Sequence, residues 1–472
     1  MTTLALAQSD LHRVCRDLAW SEIAAMPGLA PQLGPRVSLA NNVDWASTGL
    51  ALDSLARMQL ATAAATWCNA YEAGFEDLFL AKRSVADWAA VMVRARASGA
   101  AHFTFSTSGS TGARKHIRHQ EDVLANEAKA WTTVLNAANS SSTATGSDVR
   151  AQADGAASGA GSTPIKRVLV LAPTHHIYGF IWGVLLPLAL GVPAVDADFA
   201  NLPELLPGDL LVAVPDQWAW LANSARPWPS GVQGISSTAP LPSDVHRRLT
   251  DSQSHTSSHT PSDTLNDTIN DTINDTLNDT LNDTSSNSLL EALTNKPGGN
   301  LPAPLSRLLQ IYGSSETAGL AWRDDPQQPY TLAPDRSRTP ADGIELLLPN
   351  GAFAAMPVQD DLDWVSATQF HLLRRVDHSV QVGGHNVSPD WVAGQLMTHG
   401  AVKAAAVRLD ALLSPPRLKA FVVLRPATSM AEKQALETWA VHSLPQYASL
   451  ASVTYGDALP LNAMGKPSDW PT

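Results

Sequence analysis

The stretch Phe103-Thr-Phe-Ser-Thr-Ser-Gly-Ser-Thr-Gly-Ala-Arg-Lys115 changes character halfway along its length. Phe103 to Ser106 alternate apolar and hydroxyl side chains, the period of a half-buried strand. Gly109 and Gly112 then fall among Thr107, Ser108, Ser110 and Thr111, and the stretch ends on Lys115. Glycines let the backbone curl so that several N–H groups face one concavity. The hydroxyls add donors and the lysine a full positive charge, so the loop suits a polyphosphate. The spacing is not Walker's, which needs four residues between its glycines and Ser or Thr after the lysine. Alone, such a loop reads equally as a solvated turn, and segments further along decide between the two.

With 472 residues, two or three domains are expected. Hydrophobic residues make up 44%, as in an ordinary globular protein, and the net charge of −12 argues against nucleic-acid binding. Cys15 and Cys68 are the only cysteines, which leaves no disulfide framework and no cysteine metal site. No basic region precedes a sustained apolar run at the start, so no signal peptide is expected and a cytoplasmic location is the default. The apolar segment Ile181 to Val195 is too short for a membrane span and contains Pro187 and Pro193. It reads as a buried helix.

Residues 1–100 read as a helical lead-in. Leu11, Val14, Leu18 and Ile23 recur at helical spacing, as do Leu55, Met58, Leu60 and Ala64. A third such pattern runs from Val85 to Val93. Asp53 and Ser54 stand where a helix would begin. The run Gly49 to Leu55 resembles an acyl carrier protein, which implies a phosphopantetheine on Ser54; the same residues read equally as a helix cap.

Beyond the glycine loop, His116 to Asn136 reads as a helix with Lys115 near its start, an arrangement that favours anions. Residues 139–163 are Ser/Ala/Gly-rich and aperiodic, so they form a flexible insertion. Arg167 to Ala172 is a buried strand running into Pro173-Thr-His-His176-Ile-Tyr178-Gly179. Polar groups at such a strand end are where open α/β sheets bind ligands. Further strands are Leu210–Val214, a segment ending in the turn Ser237-Thr238-Ala239-Pro240, Leu308–Tyr312 and Gly343–Leu348. Residues 251–288 read as a second flexible insertion, carrying a tandem Asp-Thr-(Leu/Ile)-Asn repeat to which no chemistry is assigned. Tyr312-Gly-Ser-Ser315-Glu316 suits a nucleotide, the ring stacking on a base and the carboxylate holding a hard metal ion. From His378 the pattern changes to short strands and two amphipathic helices, a small α+β domain.

Together these segments resemble the adenylate-forming superfamily of acyl- and aryl-CoA synthetases. Thr107 to Lys115 matches its phosphate loop, with Arg114 replacing the usual proline. Tyr312 to Glu316 matches its tyrosine-glutamate motif. Asp360-Asp361-Leu362, Arg374-Arg375-Val-Asp377, Gly383-Gly384 and Pro460 to Lys466 match four further motifs in order. The resemblance implies a large α/β AMP-binding domain with mixed sheets and flanking helices over 101–375, and a small mobile α+β domain over 376–472. It implies ATP, Mg²⁺ and a thiol from CoA or a carrier's phosphopantetheine. Thr107, Ser108, Gly109, Ser110, Thr111, Gly112 and Lys115 would grip the phosphates. Tyr312 would pack on adenine beside the turn at Ser237 to Pro240. Ser315 would touch the α-phosphate and Glu316 the magnesium. Asp361 and Arg375 would bind ribose, Asp377 would be the hinge, and Lys466 would bridge the carboxylate and the α-phosphate.

Departures concern the acceptor and the start of the chain. The phosphate loop comes early, so the usual N-terminal subdomain is shortened or replaced. Gln381 replaces a usual lysine, which bears on CoA handling more than on adenylation. The resemblance places the acid against His176, Tyr178, Gly179, Thr238, Ala239 and Ala318 to Leu320. These residues suit a hydroxylated aryl acid such as a hydroxybenzoate or hydroxycinnamate. The alternatives are a medium-chain fatty acyl-AMP ligase, and a fused acyl-carrier or binding protein without adenylation. The partners implied are a small carboxylic acid and, for a carrier acceptor, an acyl carrier protein.

Overall fold

The computed structural model describes residues 6–26, 36, 52–107, 115–140, 163–200, 202–224, 228–251, 304–375, 379–410, 412–413, 415–426, 428–460 and 469–470. The glycine turn at 108–114, the tandem repeat, Asp377 and Lys466 lie outside them. The lead-in folds as α1 (Gln8–Ala24), α2 (Ser54–Trp67), α3 (Glu76–Ala81) and α4 (Val85–Ala97). Asp53 caps α2, its carboxylate accepting from the Ala56 N–H at 2.8 Å. Periodicity located α2 but not its buried side. Leu60, Ala61, Ala64 and Trp67 face the core, while Leu55 is 66% and Met58 50% exposed.

A hairpin follows, β1 (His102–Thr107) with β2 (Lys115–Gln120), and then α5 (Glu121–Ser140). The central sheet begins with β3 (Arg167–Val170), which leads into the short helices α6 (Ile177–Phe180) and α7 (Leu186–Leu190), joined by a π turn. It continues through β4 (Ala194–Asp196), β5 (Asp209–Ala213), α8 (Pro215–Asn223), β6 (Gln233–Ser236) and α9 (Ser243–Thr250). Then come β7 (Arg307–Ser314), β8 (Ala318–Arg323) and β9 (Tyr330–Leu332). A small sheet of β10 (Arg336–Arg338), β11 (Ile344–Leu347) and β12 (Phe353–Ala355) precedes β13 (Asp360–Trp364) and β14 (Gln369–Arg375).

Among the described residues the central sheet has nine strands in the order β13-β14-β9-β8-β7-β6-β5-β3-β4. The run from β4 to β7 is parallel and the run from β7 to β13 antiparallel. Strands β3 and β5, Arg-Val-Leu-Val and Asp-Leu-Leu-Val-Ala, are nearly unbroken apolar runs because both faces are covered. Leu169, Leu211 and Leu308 pack under α8 and α9. Val168, Val170, Leu210 and Val212 join a core shared with α1, α2, α4 and α5. The lead-in is therefore one wall of the sheet's own core.

The C-terminal part holds β15 (Val380–Val382), β16 (His385–Val387), α10 (Pro389–Met397), β17 (Val402–Asp410), β18 (Arg417–Leu424), α11 (Met430–Ser443) and β19 (Leu450–Tyr455). It has its own apolar cluster, centred on Val392, Val407, Leu418 and Val422. Strand β19 lies parallel to β18, a pairing that no turn signal in the sequence announces.

Charge is buried where α1 meets the end of β3. Asp17 is fully buried and pairs with Arg36 at 2.6 Å and Arg16 at 2.8 Å. It also accepts from the Thr174 N–H and Oγ1, each at 2.7 Å. Burial pushes its carboxyl up, but Arg36, Arg16 and the Thr174 donors together hold it below the ordinary carboxylate value. Removing one partner of such a cluster strands the others, so Asp17→Asn is expected to cost about 3–5 kcal/mol at neutral pH. The folded pKa is depressed, so this stabilisation is present above about pH 4 and is lost as pH falls through the lower folded value. Thermal midpoints measured against pH should drop in acid for the wild type, and Asp17→Asn should flatten that drop.

Candidate active site

Lys115 sits opposite Thr107 in the antiparallel β1–β2 register. This corrects the helix expected from His116. Residues 115–120 alternate, with Ile117 and His119 turned in and Lys115, His116, Arg118 and Gln120 exposed. The helix starts only at Glu121, whose carboxylate pairs with Arg96 of α4. Lys115 therefore lies at the base of a hairpin rather than at a helix dipole, and its charge acts through proximity alone.

His119 joins this hairpin to the next segment, its Nε2–H donating to the Ser315 carbonyl at 2.7 Å. Burial holds the imidazole below its usual pKa, outweighing the Ser315 carbonyl, which by itself favours the protonated ring. The turn it meets is internally bonded. Ser314 N–H donates to Thr317 Oγ1 at 3.0 Å, and Glu316 N–H to Ser314 Oγ at 3.2 Å. A Cβ on Gly313 would lie 1.9 Å from the Ala318 carbonyl oxygen, so only glycine permits the hairpin to close. Ala318 sits at φ +56°, an unusual conformation for a residue with a side chain. The half-buried Glu316 carboxylate makes no hydrogen bond or ion pair with any described residue.

Tyr312 is fixed from its hydroxyl, which donates to Asp360 Oδ2 at 2.7 Å. Burial, with Asp360 beside it, pushes the phenol well above its usual pKa. Asp360 stands opposite Arg375 in the β13–β14 register, and Arg375 Nη2 donates to Gln359 Oε1 at 2.7 Å. Asp361, half-buried, is the next residue along. On the other side of β7, Ser237 Oγ donates to the Ile311 carbonyl at 2.9 Å. The following Thr238 is exposed at φ +82°, a second strained position at the same edge. Gly384, at φ +79°, comes so close that a Cβ would sit 3.4 Å from Thr238 Oγ1. The β15–β16 hairpin of the small unit thus abuts this edge.

The acid side differs from its sequence reading. His176 is exposed, but Tyr178 is buried, and its hydroxyl donates to the Ala213 and Ile235 carbonyls at 3.0 and 2.8 Å. A Cβ on Gly179 would fall 2.0 Å from the Pro173 carbonyl oxygen. Both residues serve the packing of α6 on the sheet, and Ala318 to Leu320 are buried as well. Thr238 and Ala239 remain at the surface of the edge with His176. The backbone at 174–175 is held from the lead-in, by Asp17 and by Trp67 Nε1–H donating to the His175 carbonyl at 3.0 Å.

His119 and Asp360 were not singled out in the sequence, since neither follows a motif whose chemistry names it. Among the described residues no group of three His, Cys, Asp or Glu side chains could hold a metal alone. A single open carboxylate fits magnesium, which binds through one or two carboxylates and substrate phosphates.

The Lys115 hairpin, the Tyr312–Glu316 turn and the β13–β14 register of Asp360 with Arg375 make up the candidate site on an α/β fold. The chain is 31% identical over 468 residues to 4-coumarate–CoA ligase of Halorhodospira halophila, covering 98% of this chain and 99% of that one. It is 29% identical over 448 residues to 4-coumarate–CoA ligase of Rhodobacter capsulatus, covering 93% and 95%. No family model matches the chain. A solved double mutant of o-succinylbenzoate CoA synthetase from Bacillus subtilis is 15% identical, covering 77% of this chain and 67% of that one, with a TM-score of 0.48. The full-length relatives show that the chain belongs to the adenylate-forming superfamily, as an AMP-forming acid–thiol ligase.

Loss of the His119 donor should loosen the Ser315–Glu316 turn. His119→Ala is expected to raise the KM for Mg·ATP about tenfold, equivalent to one hydrogen bond of about 1.4 kcal/mol. His119→Gln, which keeps an N–H donor, should recover most of that loss in steady-state assays of pyrophosphate release.

Proposed function

We propose that the chain activates an aryl carboxylic acid with ATP and passes the acyl group to the thiol of CoA. The observation that carries this reading is a bonded path along one sheet edge. It runs from the Lys115 hairpin through His119 to Ser315–Glu316, and from Tyr312 through Asp360 to the Asp361–Arg375 region. In this reading residues 101–375 form the nucleotide-binding domain, 376–472 a catalytic-lysine domain that turns about Asp377, and 1–100 a cover for the first.

A carboxylate attacking the α-phosphorus brings two anions together, and negative charge grows on the bridging and leaving oxygens. Lys115 and the donors from Thr107 to Gly112 hold the phosphates, and Ser315 addresses the α-phosphate. Tyr312 packs on adenine with its ring position set by Asp360, while Asp361 and Arg375 take the ribose hydroxyls. Glu316 is the protein ligand for magnesium, which when bound neutralises phosphate charge. Lys466 bridges the attacking carboxylate and the α-phosphate. The acid lies against His176 and the Thr238–Ala239 turn. An aryl acid is favoured by the relatives, which are named 4-coumarate–CoA ligases. The buried Tyr178 no longer bears on ring recognition.

A screen of pyrophosphate release over aryl and alkyl acids, with and without CoA, tests the reading. Hydroxybenzoates or hydroxycinnamates should exceed medium-chain fatty acids, and acyl-CoA should form only with CoA present; a preference for alkyl acids overturns the aryl assignment. Lys466→Ala should lower adenylation on the order of 10²–10³-fold while sparing thiolysis of preformed acyl-adenylate. Near-normal adenylation in that variant would remove Lys466 from the chemistry.

A further inference from the structure

The Ser54 segment finds no place in the adenylation cleft, yet it borders a cavity of about 190 Å³ between α2, α3 and the start of α4. The inner wall is apolar and fixed. Leu60, Phe79 and Trp88 are each 1% exposed, and the Trp88 Nε1–H donates to the Phe79 carbonyl at 3.0 Å. Met58 and Leu80, the latter 54% exposed, form an apolar lip open to water. Three cations, Arg57, Lys82 and Arg83, stand around this lip.

Those cations are poorly matched by the acids nearby. Asp53 is occupied in capping α2, and Asp87 accepts from Ser84 Oγ at 2.9 Å. Lys82 comes only within 4.0 Å of Asp87, and the Arg57 Nε–H reaches the Asp53 carbonyl at 3.4 Å rather than a carboxylate. Arg83 has no ion pair or hydrogen bond among the described residues. A local cluster of cations, of which only Lys82 has a carboxylate within ion-pair reach among the described residues, runs against a chain whose net charge is −12. A cavity of about 150 Å³ is enough to hold benzene, so the space admits one ring.

We propose that this cavity is a second ligand site, separate from the adenylation cleft, for a single-ring aromatic carboxylate. The ring lies on Trp88 and Phe79 between Met58 and Leu80, and the carboxylate meets Arg83 and Arg57, with the Ser54 hydroxyl as a further donor. The assignment stands on the lead-in alone and does not depend on which acid the cleft activates.

The test labels the full chain with 5-fluorotryptophan and assigns the Trp88 resonance with Trp88→Phe. Benzoate is expected to shift that resonance saturably, with a dissociation constant on the order of 1 mM. Benzamide, which keeps the ring and lacks the charge, and acetate, which lacks the ring, should each bind at least about tenfold more weakly. Arg57→Ala/Arg83→Ala should abolish the shift while leaving pyrophosphate release unchanged, which also shows the variant to be folded. An unmoved Trp88 resonance, equal response to benzamide, or a shift that persists in the double variant would overturn the proposal. The last outcome would mean that occupancy of the catalytic cleft is being transmitted along α2.

Discussion

A parallel sheet that is apolar on both faces must be covered twice, and here the second cover is drawn from the start of the chain. Val168, Val170, Leu210 and Val212 would face water without α1, α2, α4 and α5. The lead-in helices pack on one another, as Cys15 does on Met92, and share that buried cluster with the sheet. The demand for a second cover explains the buried charge. Arg36 donates to the carbonyls of Val170, Leu171 and Ala197, groups that leave the sheet ladder where β3 and β4 end. Asp17 then neutralises the arginine and binds the next backbone N–H at Thr174. Breaking an ion cluster of this kind costs more than forming it gains, so its value is to fix one arrangement of helix on strand. The strand end fixed in this way carries His175 and His176.

The same edge stores backbone strain. Thr238 and Ala318 both adopt positive φ without being glycine, and both sit one turn beyond parallel strands β6 and β7. Each such residue costs of order 1–3 kcal/mol and persists only where its surroundings over-determine it. For Ala318 the surroundings are the closed Gly313–Ala318 hairpin and the Glu127 carboxylate, which accepts from Gly319 N–H at 2.8 Å. Glu127 is itself paired with Arg336 at 2.8 Å in a fully buried site. Rigidity at the Tyr312–Glu316 turn thus draws on α5 and β10, which sequence distance separates from it.

What the sequence disclosed and what it hid follow from how far each interaction reaches along the chain. The glycine loop, the tyrosine-glutamate turn and the glycine pair at 383–384 are local, since each needs its residue types side by side. The family resemblance and the α/β fold were legible from them. His119–Ser315 and Tyr312–Asp360 join residues far apart in sequence, and although Ser315 and Tyr312 stand in a motif, nothing in type or spacing marks His119 or Asp360 as their partners. The helix expected from His116 failed because Lys115–Gln120 has no apolar period of either kind, and pairing with β1 decided its state. Tyr178 and Gly179 show a related ambiguity. An aromatic and a glycine at a strand end serve ligand or packing equally well until the Ala213 and Ile235 carbonyls are seen to take the hydroxyl. The exposed Leu55 and Met58 repeat the lesson on a helix, since spacing yields a stripe but not which neighbour covers it.

Net charge sharpens the electrostatic problem. A chain at −12 repels a polyphosphate at long range, so binding must rest on short-range positive groups in a confined space. The exposed Lys115 and the half-buried Arg375 stand at different ends of the bonded path, and the Glu316 carboxylate between them makes no ion pair among the described residues. An uncompensated carboxylate beside a phosphate site would be unfavourable by itself. In the proposed reading it would become favourable only with a divalent ion between it and the phosphates, since such an ion would make two repelling anions ligands of one centre. The proposed site would then take nucleotide and metal together rather than either alone.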